Sequence, residues 1–360
     1  VLSMRRMSST YEAWSSYVLS CWQGAFLLPP ASLSATARGQ SWQKYSYSTP
    51  TGRHPYFVYT PANYQPGAPT PLIIMLHGCT QTPTDFAAGT EMNRLADQHQ
   101  FIVAYPQQTS ADNGYGCWNW FDPAHQARGR GEPARIIGII EAIARQTTQW
   151  TIDRQRIYAI GFSAGAAMAV TLGATYPDIF AAIGIHSGLA YQAATNLKDV
   201  ARVLRQGGPT PTQQGLVAHR AMGSFARVIP TIVFHGTRDS IVHPINGDQA
   251  IQQWLHTTTL ASRGKDSLSF DQPTSTRVEE IPGGRAYTIS TWKDSEKRET
   301  HEYWKITGMG HAWSGGSLRG SYTDPHSPNA SRAMYEFFLK HPLRQDTIIP
   351  PPTREAWNER

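Results

Sequence analysis

The stretch that most constrains this chain is Tyr158-Ala159-Ile160-Gly161-Phe162-Ser163-Ala164-Gly165-Ala166-Ala167-Met168-Ala169, in which one serine joins an apolar run to a helix-forming run of small residues. A G-x-S-x-G pattern puts its serine on a sharp strand-to-helix turn, and a β-carbon at Gly161 or Gly165 would collide with the neighbouring backbone there. The helix that follows would aim its free N–H groups and the positive end of its dipole at the turn, a place suited to hold developing negative charge. Alone, such a pentapeptide is a weak signal, because small residues gather in turns. Its context strengthens it: Arg156-Ile157-Tyr158-Ala159-Ile160 reads as a strand, an Ala-rich helical run follows, and no charged residue appears downstream before Asp178.

Around this turn the chain alternates strands and helices. Leu72-Ile73-Ile74-Met75-Leu76 is continuously apolar, as a strand covered on both faces by helices must be. A helix over 83–99 and a strand over 101–106 follow it, and a strand over 56–60 precedes it. Residues 133–150 read as an apolar helix leading to the serine strand, and 180–186 as the next strand. Residues 191–229 read as a cap-like insertion of two helical pieces split by Gly207-Gly208-Pro209-Thr210-Pro211. The sheet resumes at 231–235, a helix covers 245–260, and three alternating runs at 277–281, 286–292 and 300–306 suit a partly exposed antiparallel edge. A helix over 330–341 closes the domain. The expected class is α/β with a mostly parallel, doubly wound sheet. The expected organisation is a segment 1–40, a catalytic-type domain 41–342 carrying the insertion 191–229, and a Pro-rich extended tail 343–360.

Composition removes several alternatives. With 40% hydrophobic and 16% charged residues, the 360-residue chain has ample material for one large core. Its net charge of +6 is scattered, so a nucleic-acid partner is not expected. No run reaches the roughly 18 apolar residues of a membrane span. Arg5-Arg6, a moderately apolar 17–30 and Ala35-Thr36-Ala37 imitate a secretion signal, whereas Trp14, Val18, Cys21, Trp22 and Leu27 loosely follow helical spacing; both readings stay open. Cys21, Cys79 and Cys117 fit no zinc spacing and permit at most one internal disulfide. No metal or other cofactor is expected, and nothing in the sequence sets an oligomeric state.

A serine hydroxyl is a poor nucleophile at neutral pH, so a histidine must take its proton and a carboxylate must hold the histidine's tautomer. In a strand-turn-helix arrangement of this type the order is serine, acid, histidine, each just past the carboxyl end of a strand. Asp239 in His235-Gly236-Thr237-Arg238-Asp239 and His311 in Gly308-Met309-Gly310-His311 meet that condition beside Ser163; Asp178, Asp248 and His243 are placed less well. An ordinary turn aspartate and a packed histidine are the competing readings. Two N–H groups must also converge on one oxyanion. Ala164, after the serine, offers one, and Cys79, in the loop after 72–76, offers the other.

Leu76-His77-Gly78-Cys79-Thr80-Gln81, Cys117-Trp118-Asn119-Trp120-Phe121, Gly161-Phe162-Ser163-Ala164-Gly165, His186-Ser187-Gly188-Leu189, His235-Gly236-Thr237-Arg238-Asp239 and Gly310-His311-Ala312-Trp313-Ser314-Gly315-Gly316 together resemble the polyhydroxybutyrate depolymerase family of α/β-hydrolase-fold esterases. The resemblance covers about residues 45–341. It implies the α/β-hydrolase fold, cofactor-free ester hydrolysis through an acyl-enzyme, a Ser163, Asp239 and His311 triad, and Cys79 as an oxyanion donor. The expected substrate is an aliphatic polyester or hydroxyalkanoate oligomer. A polysaccharide-side-chain acetyl or feruloyl esterase is the alternative, and a non-catalytic binder on the same fold is a third reading. Trp118, Trp120 and Trp313, with His77, are expected to line the substrate cleft, because tryptophan offers broad apolar area with one polar N–H. The opposing reading makes Trp118 and Trp120 core anchors. Cys79 and Cys117 each abut a site motif, so a disulfide between them is expected to pin the oxyanion loop to the aromatic loop. Such a bond persists outside the reducing cytosol, which suggests a secreted or periplasmic protein.

Overall fold

The computed structural model describes residues 41–343; the signal-like stretch, Cys21 and the Pro-rich tail lie outside the described residues. Strands β1 (Trp42–Thr49) and β2 (Gly52–Tyr59) form an antiparallel hairpin. The parallel centre consists of β3 (Thr70–Leu76), β4 (Ile102–Pro106), β5 (Ile152–Phe162), β6 (Ala182–His186) and β7 (Thr231–Gly236). A meander of β8 (Ser275–Glu280), β9 (Ala286–Lys293) and β10 (Glu299–Ile306) follows. All ten belong to one sheet in the order β1-β2-β4-β3-β5-β6-β7-β10-β9-β8. β10 runs parallel to β7 and antiparallel to β9, so the last two strands make the antiparallel edge.

The helices are α1 (Pro83–Thr90), α2 (Met92–His99), α3 (Gly131–Arg145), α4 (Ala164–Thr175), α5 (Leu197–Gln206), α6 (Pro211–Met222), α7 (Ile245–Ala261) and α8 (Ala330–Leu339). The two cores explain why β3 shows no alternation. Leu72, Ile74 and Leu76 pack with Ile136, Met168 and Trp254 from α3, α4 and α7 on one face. Ile73 and Met75 pack with Phe86, Leu95 and Phe337 from α1, α2 and α8 on the other. Each face of the strand meets a helical layer, so both sets of side chains must be apolar. Every residue of α4 is buried, which accounts for a run of alanine, glycine and threonine with no polar face. In the 191–229 stretch, α6 lies on α7 and α4, and the missing β-carbon of Gly215 admits His256 and the Gln253 carbonyl.

Three elements depart from the sequence reading. The single helix expected over 83–99 is two, divided at Glu91, which takes the left-handed conformation at φ 53° and serves as cap to both. Strand β1 precedes 56–60, the first strand that the sequence marks. The serine strand begins at Ile152, several residues before the apolar run that marks it. A further parallel pair, β11 (Trp313–Ser314) and β12 (Thr323–Asp324), stands apart from the main sheet.

Candidate active site

β5 ends at Phe162 and α4 begins at Ala164, so Ser163 alone makes the turn, with φ 56° and ψ −120°. The flanking glycines are dictated by contact. A β-carbon on Gly161 would lie 2.0 Å from the Gly165 carbonyl oxygen, and one on Gly165 would lie 2.1 Å from that of Leu76. Ser163 donates its backbone N–H to the His186 carbonyl at 2.9 Å, and only 5% of the residue is exposed.

The loops after β7 and β10 are laced together. Thr237 N–H donates to Ile306 O at 2.9 Å and Arg238 N–H to Met309 O at 3.0 Å, and a β-carbon on Gly236 would strike the Met309 carbonyl oxygen at 2.3 Å. This lacing sets Asp239 beside His311, whose Nδ1–H donates to Asp239 Oδ2 at 2.7 Å. Asp239 Oδ1 accepts from the Ile241 and Val242 amides at 3.0 and 2.8 Å. Burial on its own pushes the Asp239 carboxyl up, but the His311 charge and hydrogen bond, His235 and the Val242 amide outweigh it and hold the group below its ordinary value. With Nδ1 committed to the carboxylate, the lone pair lies on Nε2, which is buried and has no hydrogen-bond partner among the described residues. The His311 ring centroid is 4.8 Å from that of Phe162, the residue before Ser163. The other candidates are engaged elsewhere: Asp178 pairs with Arg128 at 2.6 Å, Asp248 with Lys305 at 2.8 Å, and His243 Nδ1 accepts from Ile245 N–H at 3.3 Å.

After β3, Gly78 N–H donates to Gln81 Oε1 at 2.9 Å and Thr80 N–H to Tyr115 O at 2.9 Å, which leaves the Cys79 amide between them without a partner among the described residues. Gln81 is held in turn, donating from Nε2 to Asp85 Oδ2 at 3.1 Å and to Ser321 O at 3.2 Å. Cys79 is disulfide-bonded to Cys117, 38 positions on. Ala164, at the first position of α4, presents the other amide.

The aromatic residues sit differently from expectation. Trp118 and Trp313 are each 1% exposed and cannot form a cleft wall; Trp118 Nε1–H donates to His77 O at 3.0 Å and Trp313 Nε1–H to Ser331 Oγ at 3.2 Å. Both indoles find fixed interior acceptors, which makes them anchors of the site's loops. Trp120 is likewise buried, edge-on to Phe121 at 5.7 Å. His77 is enclosed too: Nδ1–H donates to Gly78 O at 2.8 Å, Nε2 accepts from Gln108 N–H at 3.1 Å, and burial pulls its pKa down to about 4. It is a neutral brace under the loop after β3 and meets no solvent.

Two groups escaped the sequence reading. Glu132 is fully buried and accepts from Asn119 N–H at 2.8 Å, from Asn119 Nδ2 at 2.7 Å and from Gln108 Nε2, so it organises the whole aromatic loop; burial raises its carboxyl. Tyr322, at φ 52°, stands edge-on to His311 with centroids 6.4 Å apart. Neither carries a local signal, since the partners are remote in sequence. Among the described residues no group of three His, Cys, Asp or Glu side chains could hold a metal ion, and no helix is long and apolar enough to cross a membrane.

The family model described as "Esterase PHB depolymerase" matches residues 55–266. The chain belongs to this family. It is 31% identical over 268 residues to poly(3-hydroxyalkanoate) depolymerase C of Paucimonas lemoignei, covering 74% of this chain and 60% of that one. It is 30% identical over 190 residues to feruloyl esterase B of Neurospora crassa, covering 51% of this chain and 63% of that one. The chain therefore spans about three fifths of the length of these curated relatives. Among solved structures, an acetyl xylan esterase from Aspergillus awamori superposes with a TM-score of 0.64 at 22% identity, covering 83% of this chain and 99% of that one. The architecture of this family member is the α/β-hydrolase fold.

Proposed function

We propose that the protein is a serine esterase that hydrolyses aliphatic polyesters or hydroxyalkanoate oligomers through an acyl-enzyme. Ser163 Oγ attacks the ester carbonyl carbon while His311 Nε2 accepts its proton; Asp239 keeps that proton-accepting tautomer and stabilises the imidazolium that results. The Cys79 and Ala164 amides receive the oxyanion, the alcohol leaves with the proton held on His311, and water then releases the acid by the same steps in reverse order. The observation that carries this reading is the 2.7 Å Asp239–His311 bond, with Nε2 unpartnered among the described residues and the ring against Phe162, next to Ser163. No metal or cofactor enters the scheme. A secreted or periplasmic location accords with the disulfide.

The polyester substrate rests on family membership and on the depolymerase relative; Trp118, Trp120 and Trp313, expected to line the cleft, are buried and add nothing to it. The feruloyl esterase relative supports a second reading, removal of acyl groups from polysaccharide. Side-by-side turnover of a 3-hydroxybutyrate trimer, methyl ferulate and acetylated xylan decides between them. Release of hydroxybutyrate at the highest kcat/KM is the expected result; faster release of ferulate or acetate transfers the protein to the second reading.

A further inference from the structure

His186 closes β6 and takes no part in the reaction scheme, yet it touches both halves of the site. Its carbonyl accepts the Ser163 N–H at 2.9 Å, at the one residue that makes the elbow turn. Its ring Nε2 accepts the Ser314 N–H at 2.9 Å, three residues past His311. The ring is stacked on Trp313 with centroids 4.7 Å apart and on Phe234 at 5.7 Å, and stands edge-on to Phe162 at 5.6 Å. Nδ1–H donates to Ser187 Oγ at 3.2 Å, so the tautomer that leaves Nε2 free to accept is the one the surroundings select. The residue is wholly buried, and burial drives its pKa well below the ordinary histidine value, so the ring stays neutral and Nε2 stays an acceptor.

We propose that His186 is a positioning residue that sets the separation of Ser163 and His311, gripping the nucleophile's amide with its carbonyl and the histidine loop with its Nε2. The grip is rigid because both hydrogen bonds belong to one residue, wedged between aromatic rings from three elements. This inference rests on the proposed triad.

The test compares five variants on a short nitrophenyl ester. His186→Phe keeps a stacking ring but has no acceptor, leaving the buried Ser314 N–H unpaired and the His311 loop free to shift. A misplacement of about 1 Å at reacting atoms costs about 100-fold in rate. The expected result for His186→Phe is therefore a kcat lower by about 10- to 100-fold with KM nearly unchanged. His186→Gln, whose amide oxygen reaches the place of Nε2, should recover most of kcat, whereas the shorter His186→Asn should not. His301→Phe is the control: an equally buried ring bonded to Thr258 at 2.8 Å, outside the site, whose loss should lower the melting temperature and leave kcat alone. If His186→Phe fails to fold, the comparison of Gln with Asn carries the test. Wild-type kcat in His186→Phe, or equal kcat in the Gln and Asn variants, overturns the proposal. Should Ser163→Ala keep turnover, the triad reading itself fails; an inactive Ser163→Ala beside an unaffected His186→Phe sinks only this inference.

Discussion

At Asp239 two demands oppose each other. Burial favours the neutral acid, while His311 Nδ1–H and the Ile241 and Val242 amides stabilise the carboxylate, and the second group wins. Because the folded value lies below the unfolded one, ionised Asp239 stabilises the fold above the usual carboxylate pKa of about 4, and that contribution disappears as pH falls through the folded value. Urea unfolding should therefore show the wild type more stable than Asp239→Asn at pH 6, with the gap narrowing at pH 3.5; a constant gap would argue against an ionised, hydrogen-bonded carboxylate. Asp239→Asn should also lower kcat by about 10,000-fold, as loss of the orienting acid does in related chemistry. Asp178→Asn and Asp248→Asn, which lose surface pairs to Arg128 and Lys305, should retain turnover. The opposite pattern would move the acid to one of them. The placing of Ser163, Asp239 and His311 just past strand ends was legible in the sequence, because each stands in a glycine-bearing turn. The positions of Trp118, Trp313 and His77 were not, since their burial depends on acceptors and neighbours such as Ser331, Gln108 and His186 that are remote along the chain.

Among the elements, the β5–α4 elbow tolerates least. Gly165→Ala would drive a methyl group to 2.1 Å from the Leu76 carbonyl oxygen, in backbone that cannot yield without moving β3 and the loop that follows it. A loss above about 3 kcal/mol is expected, beyond ordinary overpacking, together with loss of activity. Gly67→Ala separates this clash from simple strain: its φ is 90° but nothing lies within 4 Å of the added carbon, so a cost of about 1 kcal/mol is expected. Denaturant midpoints for the two variants check this, and equal costs would contradict a packing origin for the elbow glycine. The central strands were legible because runs such as Leu72-Ile73-Ile74-Met75-Leu76 have both faces covered. β1 was overlooked although Tyr45-Ser46-Tyr47-Ser48 alternates as a half-buried strand does, because the alternation is short and polar residues Gln43 and Lys44 precede it; pairing with β2 identifies it. The break between α1 and α2 was equally hidden, for Glu91 carries no residue type that demands a left-handed backbone.

Across the whole molecule, the Cys79–Cys117 bond ties the loop after β3 to the loop after β4, on which the aromatic anchors stand. Closing a loop of 38 positions stabilises the fold by about 3 to 4 kcal/mol in the chain-entropy account. Reductant should lower the melting temperature accordingly, and denatured, unreduced protein should titrate one thiol, that of Cys21; three titratable thiols would refute the bond. The proposed mechanism stands on Ser163 as the nucleophile. Diethyl p-nitrophenyl phosphate reacts with an activated serine by forming a P–O bond and expelling nitrophenolate, so the intact mass should rise by a single diethylphosphoryl group. Peptide mass mapping should place that group on Ser163, with ester hydrolysis falling in step with its incorporation. An adduct on another residue, or full hydrolytic activity with Ser163 occupied, would contradict the account.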